Sequence, residues 1–416
     1  MAPATSADGT NYAPTIDTPD AKAVMITSHG KYRFPWRSGN RFRLLVDGDR
    51  FFPAMEASIA EARRYVLVEM YLCESGQVTE RFFRQLRAAA KRGVRVCVLL
   101  DAYGALGLRR SDRKRLTDAG AELAFYNPLR FFRWRSNLLR DHRKLLIVDG
   151  NIAFTGGTGL IDSFDPRIES GTWWHEVMLE VRGPCLADWQ ALFARTWNRW
   201  ANSALSEVPG GAWQQSDGCQ GRVTVQRGIK GRSEIMRSYV RQTRRARRRV
   251  WLATAYFVPS WKLRQVLRRS ARRGRDVRLL LPGALSDHPA VWYMGRRYYH
   301  RLLKAGVRIF EYQPRFTHFK MLLCDDWLSL GSSNADAWNY RWNLEANQEV
   351  QDVDLSEQAA SLLEADFARS VEIRLEDWVV RSWRKRLREW FWGKVQAFLG
   401  WFSDRDVTRQ NLDREL

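Results

Sequence analysis

The sequence has few of the residues that build disulfide frameworks and metal centres. Its 416 residues include five cysteines and six histidines, and the cysteines form no Cys-x-x-Cys or Cys/His ligand pattern. An odd, scattered set of cysteines is typical of reduced thiols in a cytosolic protein, so we expect no disulfide framework, no metal site and no cofactor. The sequence also shows no apolar run long enough to span a bilayer and no apolar signal segment near its start, which argues against a spanning helix and a signal peptide.

Basic residues and tryptophan, by contrast, are abundant. Lys and Arg total 68 against 46 Asp and Glu, a net charge of +22, and there are 19 tryptophans. Such a charge attracts polyanions, of which nucleic acid and anionic lipid are both candidates. Tryptophan is favoured at the headgroup level of bilayers, which favours lipid. The hydrophobic fraction of 45% excludes a largely disordered chain.

Two of the six histidines lie in nearly identical settings. In each, a lysine follows the histidine by two residues, an aspartate ends an apolar run, and small polar residues come soon after. The first copy consists of His142, Lys144 and Asp149, followed by Gly156, Gly157 and Thr158. The second consists of His318, Lys320 and Asp325, followed by Gly331, Ser332, Ser333 and Asn334. Histidines that merely satisfy backbone carbonyls need no lysine and aspartate at fixed offsets, so the repeat indicates a functional site.

Two histidines and two lysines suit the transfer of a phosphodiester. A phosphodiester anion repels nucleophiles, so cations must neutralise it, and the leaving oxygen needs a proton. Imidazole, with an ordinary pKa of about 6.5, attacks when neutral and donates a proton when charged. One histidine is therefore expected to form a covalent phosphohistidine, while the other protonates the leaving group and then acts as base. Lys144 and Lys320 are expected to hold the phosphate oxygens.

The residues after each lysine predict a β-hairpin. Residues 145–148 and 321–323 are apolar runs of strand type, and Asp149-Gly150 is a strong turn signal. In a strand, positions i and i+2 share a face, so each His–Lys pair is expected to point into one cleft. Asp149 and Asp325 belong to the catalytic motif, but their place at the turns indicates that they brace the hairpins.

On these motifs the chain resembles the phospholipase D superfamily, whose signature is a duplicated His-Lys-Asp motif with a trailing Gly-Ser-x-Asn. Within it, the chain is most similar to bacterial cardiolipin synthases. The strings that carry the resemblance are 45–48, 140–144 with 155–157, and 331–336 with Asn343 and Glu345. The resemblance covers roughly residues 40–370. It implies an α/β fold of two pseudo-repeated phospholipase D-like α/β/α sandwich domains, with the active site at their interface.

Duplication beyond the motifs suggests the domain boundaries. Residues 62–67 are echoed by 246–252, and residues 92–96 by 273–278. Each half alternates helix and strand before its hairpin, which predicts α/β layers with largely parallel strands. We expect a loosely ordered leader over 1–38, a first domain over 39–204, a linker over 205–222, a second domain over 223–372 and a basic, Trp-rich tail over 373–416.

The resemblance also implies roles for single residues. His142 is the expected nucleophile, and His318 the general acid and then base. Substrate phosphate is expected to bind Lys144, Lys320, Asn334 and Ser332. Glu345, with Asn343 beside it, is expected to hydrogen-bond a catalytic histidine and fix its tautomer. Glu176, which follows Trp173, Trp174 and His175, is expected to orient a catalytic group.

Two places depart from the cardiolipin synthase pattern. Gly159 stands opposite Asn334, where a second asparagine is usual, so a phosphate-contacting amide is missing from the first half. Thr158 is a candidate to replace it. The second half has Trp338 and Asn339 where an Arg-Ser pair is common. Catalysis is still expected, but the reaction is left open between transfer and hydrolysis.

Two segments interleave aromatic and basic residues. Residues 378–402 repeat apolar positions at helical spacing, and residues 129–139 precede the first motif. An amphipathic Trp-rich helix either lies in the membrane interface or packs on the second domain. The first interpretation is preferred, with residues 129–139 as a membrane-contacting rim. It predicts a peripheral protein on the cytoplasmic face of the bacterial inner membrane.

Three classes of function follow. The preferred one is a cardiolipin synthase-type transphosphatidylase, which moves a phosphatidyl group from phosphatidylglycerol to a second lipid hydroxyl and releases glycerol. The first alternative is a phospholipase D-type phosphodiesterase that hydrolyses phospholipid or nucleic acid. The second is a non-catalytic membrane-binding homologue, which the intact histidines and lysines oppose. The sequence leaves the oligomeric state and the second lipid substrate open.

Overall fold

The computed structural model describes residues 33–130, 136–168, 173–205, 218–227, 233–336 and 342–381. Most of the predicted leader and tail lies outside these ranges, as do residues 206–217 of the linker, residues 131–135 of the predicted rim, Trp338 and Asn339. The described residues form two consecutive halves of alternating strands and helices. No helix among them is both long and apolar enough to cross a bilayer.

The first half carries the first motif. Its strands are β1 (Arg37–Val46), β2 (Tyr65–Met70), β3 (Arg95–Asp101), β4 (Glu122–Tyr126), β5 (Arg140–Asp141), β6 (Leu145–Val148), β7 (Ile152–Gly156) and β8 (Val177–Arg182). Its α-helices are α1 (Gly48–Glu61), α2 (Gln77–Lys91), α3 (Arg110–Asp118) and α4 (Cys185–Trp200).

The second half carries the second motif. Its strands are β9 (Cys219–Arg227), β10 (Arg249–Ala253), β11 (Phe257–Val258), β12 (Asp276–Pro282), β13 (Arg308–Tyr312), β14 (Met321–Cys324), β15 (Trp327–Gly331), β16 (Ala335–Asp336), β17 (Asn343–Gln351) and β18 (Ser370–Ile373). Its α-helices are α5 (Glu234–Arg245), α6 (Trp261–Arg272), α7 (Pro289–Arg296), α8 (Tyr299–Leu303), α9 (Val353–Ala368) and α10 (Leu375–Val379).

Strand pairing repeats from one half to the other. The strand order is β18-β13-β12-β10-β14-β15-β17-β9-β1-β8-β7-β6-β2-β3-β4. Parallel strands β2, β3 and β4 in the first half correspond to β10, β12 and β13 in the second. The antiparallel pair β1–β9 joins the halves. The predicted duplicated α/β fold is confirmed, whereas the domain boundaries stay a prediction.

Each half is organised around its own apolar core. In the first half, buried phenylalanines of α1 and α2, among them Phe51 and Phe82, pack over a β2 strand that is buried along its whole length. In the second half, Leu263 and Leu267 of α6 pack with Tyr239 of α5. Each fully buried side chain of this size contributes about 1.5–3 kcal/mol. Polar strand β17 is also buried and pairs with β9 and β15, beside these cores.

Each motif lies at the carboxyl-terminal ends of the parallel strands in its own half. β6 starts opposite the end of β2, where Leu145 pairs with Glu69. β14 starts opposite the end of β10, where Met321 pairs with Ala253. β5, which leads directly into the first motif, pairs with the start of β17 and so brings the two edges together.

Candidate active site

The sequence predicted that the two His-x-Lys segments would be part of strands. In the structure they lie just before β6 and β14. Each strand begins one residue after its lysine. The motif backbone instead pairs with the opposite half. The N–H of His142 donates to the carbonyl of Leu344 at 3.0 Å, and the N–H of His318 donates to the carbonyl of His175 at 2.8 Å. Each motif segment is therefore held by the other half.

Each motif histidine also meets a glutamate of the opposite half. Nδ1 of His142 lies 3.0 and 3.1 Å from the two carboxylate oxygens of Glu345. Nδ1 of His318 lies 2.6 Å from Oε2 of Glu176. Because a carboxylate only accepts, Nδ1 carries the hydrogen and Nε2 of each ring is left for chemistry. Asn343 donates to Glu345 at 3.4 Å and so supports that carboxylate.

A buried lysine accompanies each histidine. Nζ of Lys144 donates to the carbonyl of His142 at 2.6 Å. Nζ of Lys320 donates to the carbonyl of His318 and lies 3.0 Å from both of its ring nitrogens. Burial lowers the pKa of Lys144 to about 7 and that of Lys320 to about 8. The two lysines place positive charge beside the motif histidines, which suits a phosphodiester anion.

Burial also keeps the motif histidines neutral. It lowers the pKa of His142, against the opposing effect of Glu345. It lowers the pKa of His318 well below the ordinary value, and Lys320 lowers it further. A neutral imidazole with its hydrogen on Nδ1 presents the Nε2 lone pair, which is the form a nucleophile or base needs. An anionic substrate offsets the burial cost of the protonated form, so either ring can take up a proton when phosphate is bound.

Aromatic side chains surround the two rings, and most of them are not among the predicted site residues. Tyr71 meets the ring of His142 at 4.7 Å and lies 5.0 Å from Nζ of Lys144. Trp174 and Phe164 lie 5.1 and 5.4 Å from the ring of His318. Tyr71 follows the repeated string 62–67 as Tyr256 follows the string 246–252, and this repeat is the signal that could have pointed to it. These rings remove water from around the cations and strengthen their electrostatic effect.

Asn334 is arranged as a hydrogen-bond donor. Its Oδ1 accepts from the hydroxyl of Thr254 and from the N–H of Tyr256, each at 3.3 Å. Its Nδ2 is buried and has no hydrogen-bond partner among the residues that the structure describes. A buried amide donor without a partner is costly unless a ligand accepts from it, which fits the expected phosphate role.

Ser332, which is expected to bind phosphate, is hydrogen-bonded to the backbone of β17 in the structure. Its hydroxyl donates to the carbonyl of Ala346 at 3.3 Å and accepts from the N–H of the same residue at 3.1 Å. These two bonds tie the segment after β15 to β17 and engage the hydroxyl proton. We therefore propose that Ser332 braces the backbone which carries Asn334, while its role in phosphate binding stays a prediction.

The glycine at position 159 does more than remove the phosphate-contacting amide of an asparagine. A Cβ at this position would lie 2.8 Å from the carbonyl oxygen of Leu72 and 2.9 Å from its Cβ. The N–H of Leu160 donates to that same carbonyl at 2.8 Å. The first half therefore brings the backbone of Leu72 into the space that a side chain would need. The hydroxyl of Thr158 donates to the carbonyl of Gly159 at 3.2 Å, so its proton is already engaged.

The motif aspartates lie in the turns. Asp149 accepts from the backbone N–H groups of Arg63, Arg64 and Tyr65 at 2.8, 2.8 and 2.9 Å. Asp325 makes the equivalent contacts with the N–H groups of residues 247, 248 and 249. Both aspartates have a positive φ of 52°, and these charge-assisted bonds offset the strain of that conformation. Their carboxylates are engaged with backbone, so we assign them to hold the hairpins that carry the histidines.

Sequence reasoning missed a buried ionic cluster beside His318, formed by His175 with Asp47, Asp366 and Arg315. Its histidine had been noted only as a neighbour of Glu176. Across the described ranges, no group of His, Cys, Asp or Glu side chains is arranged to hold a metal ion.

Two neutral histidines oriented by glutamates of opposite halves, each with a buried lysine, define a phosphodiester-transferring site of the phospholipase D class on a duplicated α/β fold. The family profile described as "Cardiolipin synthase, PLD-like domain" matches residues 55–197 and 239–369. The chain belongs to this family. The predicted superfamily is thereby confirmed, and the predicted phosphatidyltransferase class is supported.

Relatives cover most of the chain. Cardiolipin synthase B of Salmonella typhi is 34% identical over 339 residues, which cover 76% of this chain and 78% of that protein. Cardiolipin synthase A of Pseudomonas aeruginosa (strain LESB58) is 32% identical over 348 residues, covering 83% and 70%. The crystal structure of phosphatidylserine synthase from Haemophilus influenzae Rd KW20 matches with a TM-score of 0.68 at 12% identity, over 90% of this chain and 96% of that chain. This structural likeness supports the fold alone.

Proposed function

We propose that the protein is a cardiolipin synthase-type transphosphatidylase that uses phosphatidylglycerol as the phosphatidyl donor. The observation that carries the proposal is the crossed pairing of His142 with Glu345 and of His318 with Glu176, since it orients two histidines for one reaction. Identity with cardiolipin synthases over most of the chain gives the substrate class.

The reaction proceeds in two displacements at phosphorus. Nε2 of His142 attacks the phosphodiester of the first lipid, and a P–N bond forms as the P–O bond to the glycerol headgroup breaks. His318, protonated when the anion is bound, gives its proton to the departing oxygen, and glycerol leaves. His318 then takes the proton of a hydroxyl on a second phosphatidylglycerol. That oxygen attacks phosphorus, the P–N bond breaks, and cardiolipin is released with both histidines restored.

The cations lower the barrier to both displacements. Negative charge on the phosphate oxygens grows in each transition state, and Lys144 and Lys320 lie where they can neutralise it. Nδ2 of Asn334, which has no partner in the described part of the chain, adds a neutral donor on the second-half side. Removing one preorganised donor of this kind costs on the order of 10²- to 10³-fold in kcat.

Exposed apolar side chains support contact with a membrane surface. Four of them follow the carboxyl-terminal ends of parallel strands β3, β4 and β12, on the edges that carry the motifs, and they are 46% to 61% exposed. We call them the apolar rim: Tyr103, Leu106, Leu129 and Leu285. An apolar rim at the mouth of a cationic site is suited to anionic lipid, and we propose peripheral binding at the cytoplasmic face of the inner membrane.

The test is a lipid-product assay. Purified protein is mixed with phosphatidylglycerol vesicles, with and without phosphatidylethanolamine, and products are read by mass spectrometry. The control is the double variant His142→Ala/His318→Ala. We expect cardiolipin and glycerol from the wild-type protein alone. Phosphatidic acid without cardiolipin would mean that water is the acceptor, and no lipid product would direct attention to nucleic acid.

A further inference from the structure

A buried histidine that the proposed mechanism does not use lies one residue before Glu176. Nδ1 of His175 is 2.7 Å from Oδ1 of Asp47, and Nε2 is 3.0 Å from Oδ2 of Asp366. Arg315 donates to the other oxygen of Asp47 at 2.6 Å. We call His175, Asp47, Asp366 and Arg315 the His175 cluster. It joins two residues of the first half to two of the second.

The ring of His175 is an imidazolium. Both of its nitrogens face carboxylates, and only the charged form donates from both. Burial lowers the pKa of His175, but hydrogen bonds with Asp366 and Asp47 outweigh burial and raise it to about 9. Together with Arg315 the ring balances two buried carboxylates. Because those carboxylates lie at opposite nitrogens, they cannot enclose a single cation with the ring, so the cluster is not a metal site.

The other neighbours of the His175 ring are aromatic side chains and arginines, and none of them accepts a proton from it. Tyr312 stacks on the ring at 5.3 Å, and Phe319 meets its edge at 5.2 Å. Arg369 lies over the ring of Tyr312, 5.8 Å from its centre. Arg315 also approaches Nδ1 of His175 at 3.1 Å, where both donors share Asp47.

The His175 cluster holds the backbone that carries His318. The N–H of His318 donates to the carbonyl of His175, and the N–H of His175 donates to the carbonyl of Phe316, each at 2.8 Å. The N–H of Asp47 donates to the carbonyl of Glu176 at 2.8 Å, and the N–H of Glu176 donates to Oδ1 of Asp47 at 3.2 Å. A shift of His175 would therefore move Glu176 and His318 together.

Among the described residues, the site of His142 has no imidazolium in the corresponding place, and the buried charges beside it, Arg143 with Asp141 and Glu69, pair with one another. In the corresponding place Leu344 precedes Glu345 and accepts the N–H of His142 at 3.0 Å. Leucine carries no charge, so the pair of His142 and Glu345 is not backed by an imidazolium. The two histidines of an otherwise repeated site are thus set apart electrostatically.

The charge of His175 acts on the carboxylate that orients His318. Burial raises the pKa of Glu176 to about 7, and Lys320, Lys144 and His175 are among the groups that oppose this rise. A glutamate that stays ionised holds the Nδ1 hydrogen of His318 and stabilises the ring when Nε2 is protonated. This is the property that a residue needs if it gives and takes protons.

We propose that the His175 imidazolium is a positioning residue that holds Glu176 against Nδ1 of His318, and that it thereby makes His318 the acid and base while His142 is the nucleophile. The inference rests on the proposed function, in which the two histidines divide these tasks. It distinguishes two residues whose motifs are the same.

The first test compares two leaving groups in the variant His175→Gln. Release of glycerol from phosphatidylglycerol needs a proton from His318, and we expect kcat to fall on the order of 100-fold, as small misplacements of reacting groups do. A nitrophenyl ester of phosphatidic acid loses its leaving group as an anion, so the rate of nitrophenolate release in the first turnover, before His318 is needed as base, should be nearly unchanged. His300→Gln, at an exposed position of α8, is the control. Equal losses with both substrates would overturn the proposal.

A paired variant separates positioning from folding. His175→Gln alone leaves buried carboxylates short of a cation, which destabilises the fold. In His175→Gln/Asp366→Asn one of those carboxylates is neutralised, so the thermal midpoint should recover while phosphatidylglycerol turnover stays low. Recovery of turnover together with stability would show that His175 has only a structural role.

NMR of protein with ¹⁵N-labelled histidine rings reads the charge of His175 without any turnover. We expect one imidazolium signal that titrates at about 9 and disappears in His175→Gln. Its absence from the wild-type protein would overturn the proposal. A wild-type protein that shows this signal but turns over no phospholipid would contradict the proposed function instead.

Discussion

Glu345 belongs to the second half of the chain, yet it lies 3.0 Å from Nδ1 of His142 in the first half. The corresponding contact of His318 with Glu176 exchanges the halves. Neither half alone holds an oriented histidine, so the duplicated fold forms one site from two incomplete ones. The interface between the halves is therefore part of the chemistry.

Glu345→Gln tests this relationship. Glutamine fills the same space but carries no charge and does not force the hydrogen onto Nδ1, so His142 loses its tautomer preference. We expect cardiolipin formation to fall roughly 10²- to 10⁴-fold, the range that acid–base groups supply. Glu357→Gln, on an exposed face of α9, is the matched control. Wild-type activity in Glu345→Gln would contradict a role for the carboxylate in orienting His142.

Local signals in the sequence were sufficient for the motifs and their hairpins. Asp149-Gly150 predicted the turn, and both residues have the positive φ values, 52° and 69°, that such a turn requires. The repeat of short strings between the halves predicted the duplicated α/β fold. These features depend on neighbours in the chain, which is why they could be predicted from the sequence.

Long-range features could not be predicted in the same way. Strand β17 contains Asn347, Gln348 and Glu349, which are polar yet fully buried. Each of them has a partner distant in the chain, as in the hydrogen bond from Trp189 to Gln348 at 2.9 Å. The partners of His175 are likewise distant in the chain, so no spacing rule relates them. The hydrogen bond of Ser332 to the carbonyl of Ala346 is likewise a contact that no local pattern encodes.

Gly159→Asn is expected to destabilise the protein without raising activity. The new side chain would meet the backbone of Leu72, and overpacking of this kind costs typically 1–3 kcal/mol. Gly159→Ala is the matched comparison, because the Cβ alone already makes the close contact. The measurement is the free energy of unfolding in urea, together with cardiolipin formation. Increased activity in Gly159→Asn at unchanged stability would contradict this account of the missing amide.

The two site lysines predict the alkaline limb of the pH profile. Their pKa values of about 7 and 8 lie far below the ordinary value because of burial, so each loses its charge as pH rises through this range. We expect kcat/KM for phosphatidylglycerol to fall between about pH 7 and 8, since this ratio reports the free enzyme. Bound phosphate favours the ammonium form, so the fall in kcat should come at higher pH. A flat kcat/KM across this range would contradict the assignment.

The apolar rim predicts how the protein meets a bilayer. Leu106→Asp and Leu285→Asp each replace an exposed leucine on a motif-bearing edge, one in each half, with a charge that anionic lipid repels. We expect each to weaken binding to phosphatidylglycerol vesicles roughly tenfold, because burying a leucine is worth at least about 1.4 kcal/mol. Val353→Asp is the matched control: Val353 is 57% exposed but follows the far end of β17, away from the motifs. Equal loss of vesicle binding in all three variants would mean that added negative charge, and not the position of the rim, decides binding. Loss confined to the rim variants would mean that the cleft faces the lipid from which its substrates come.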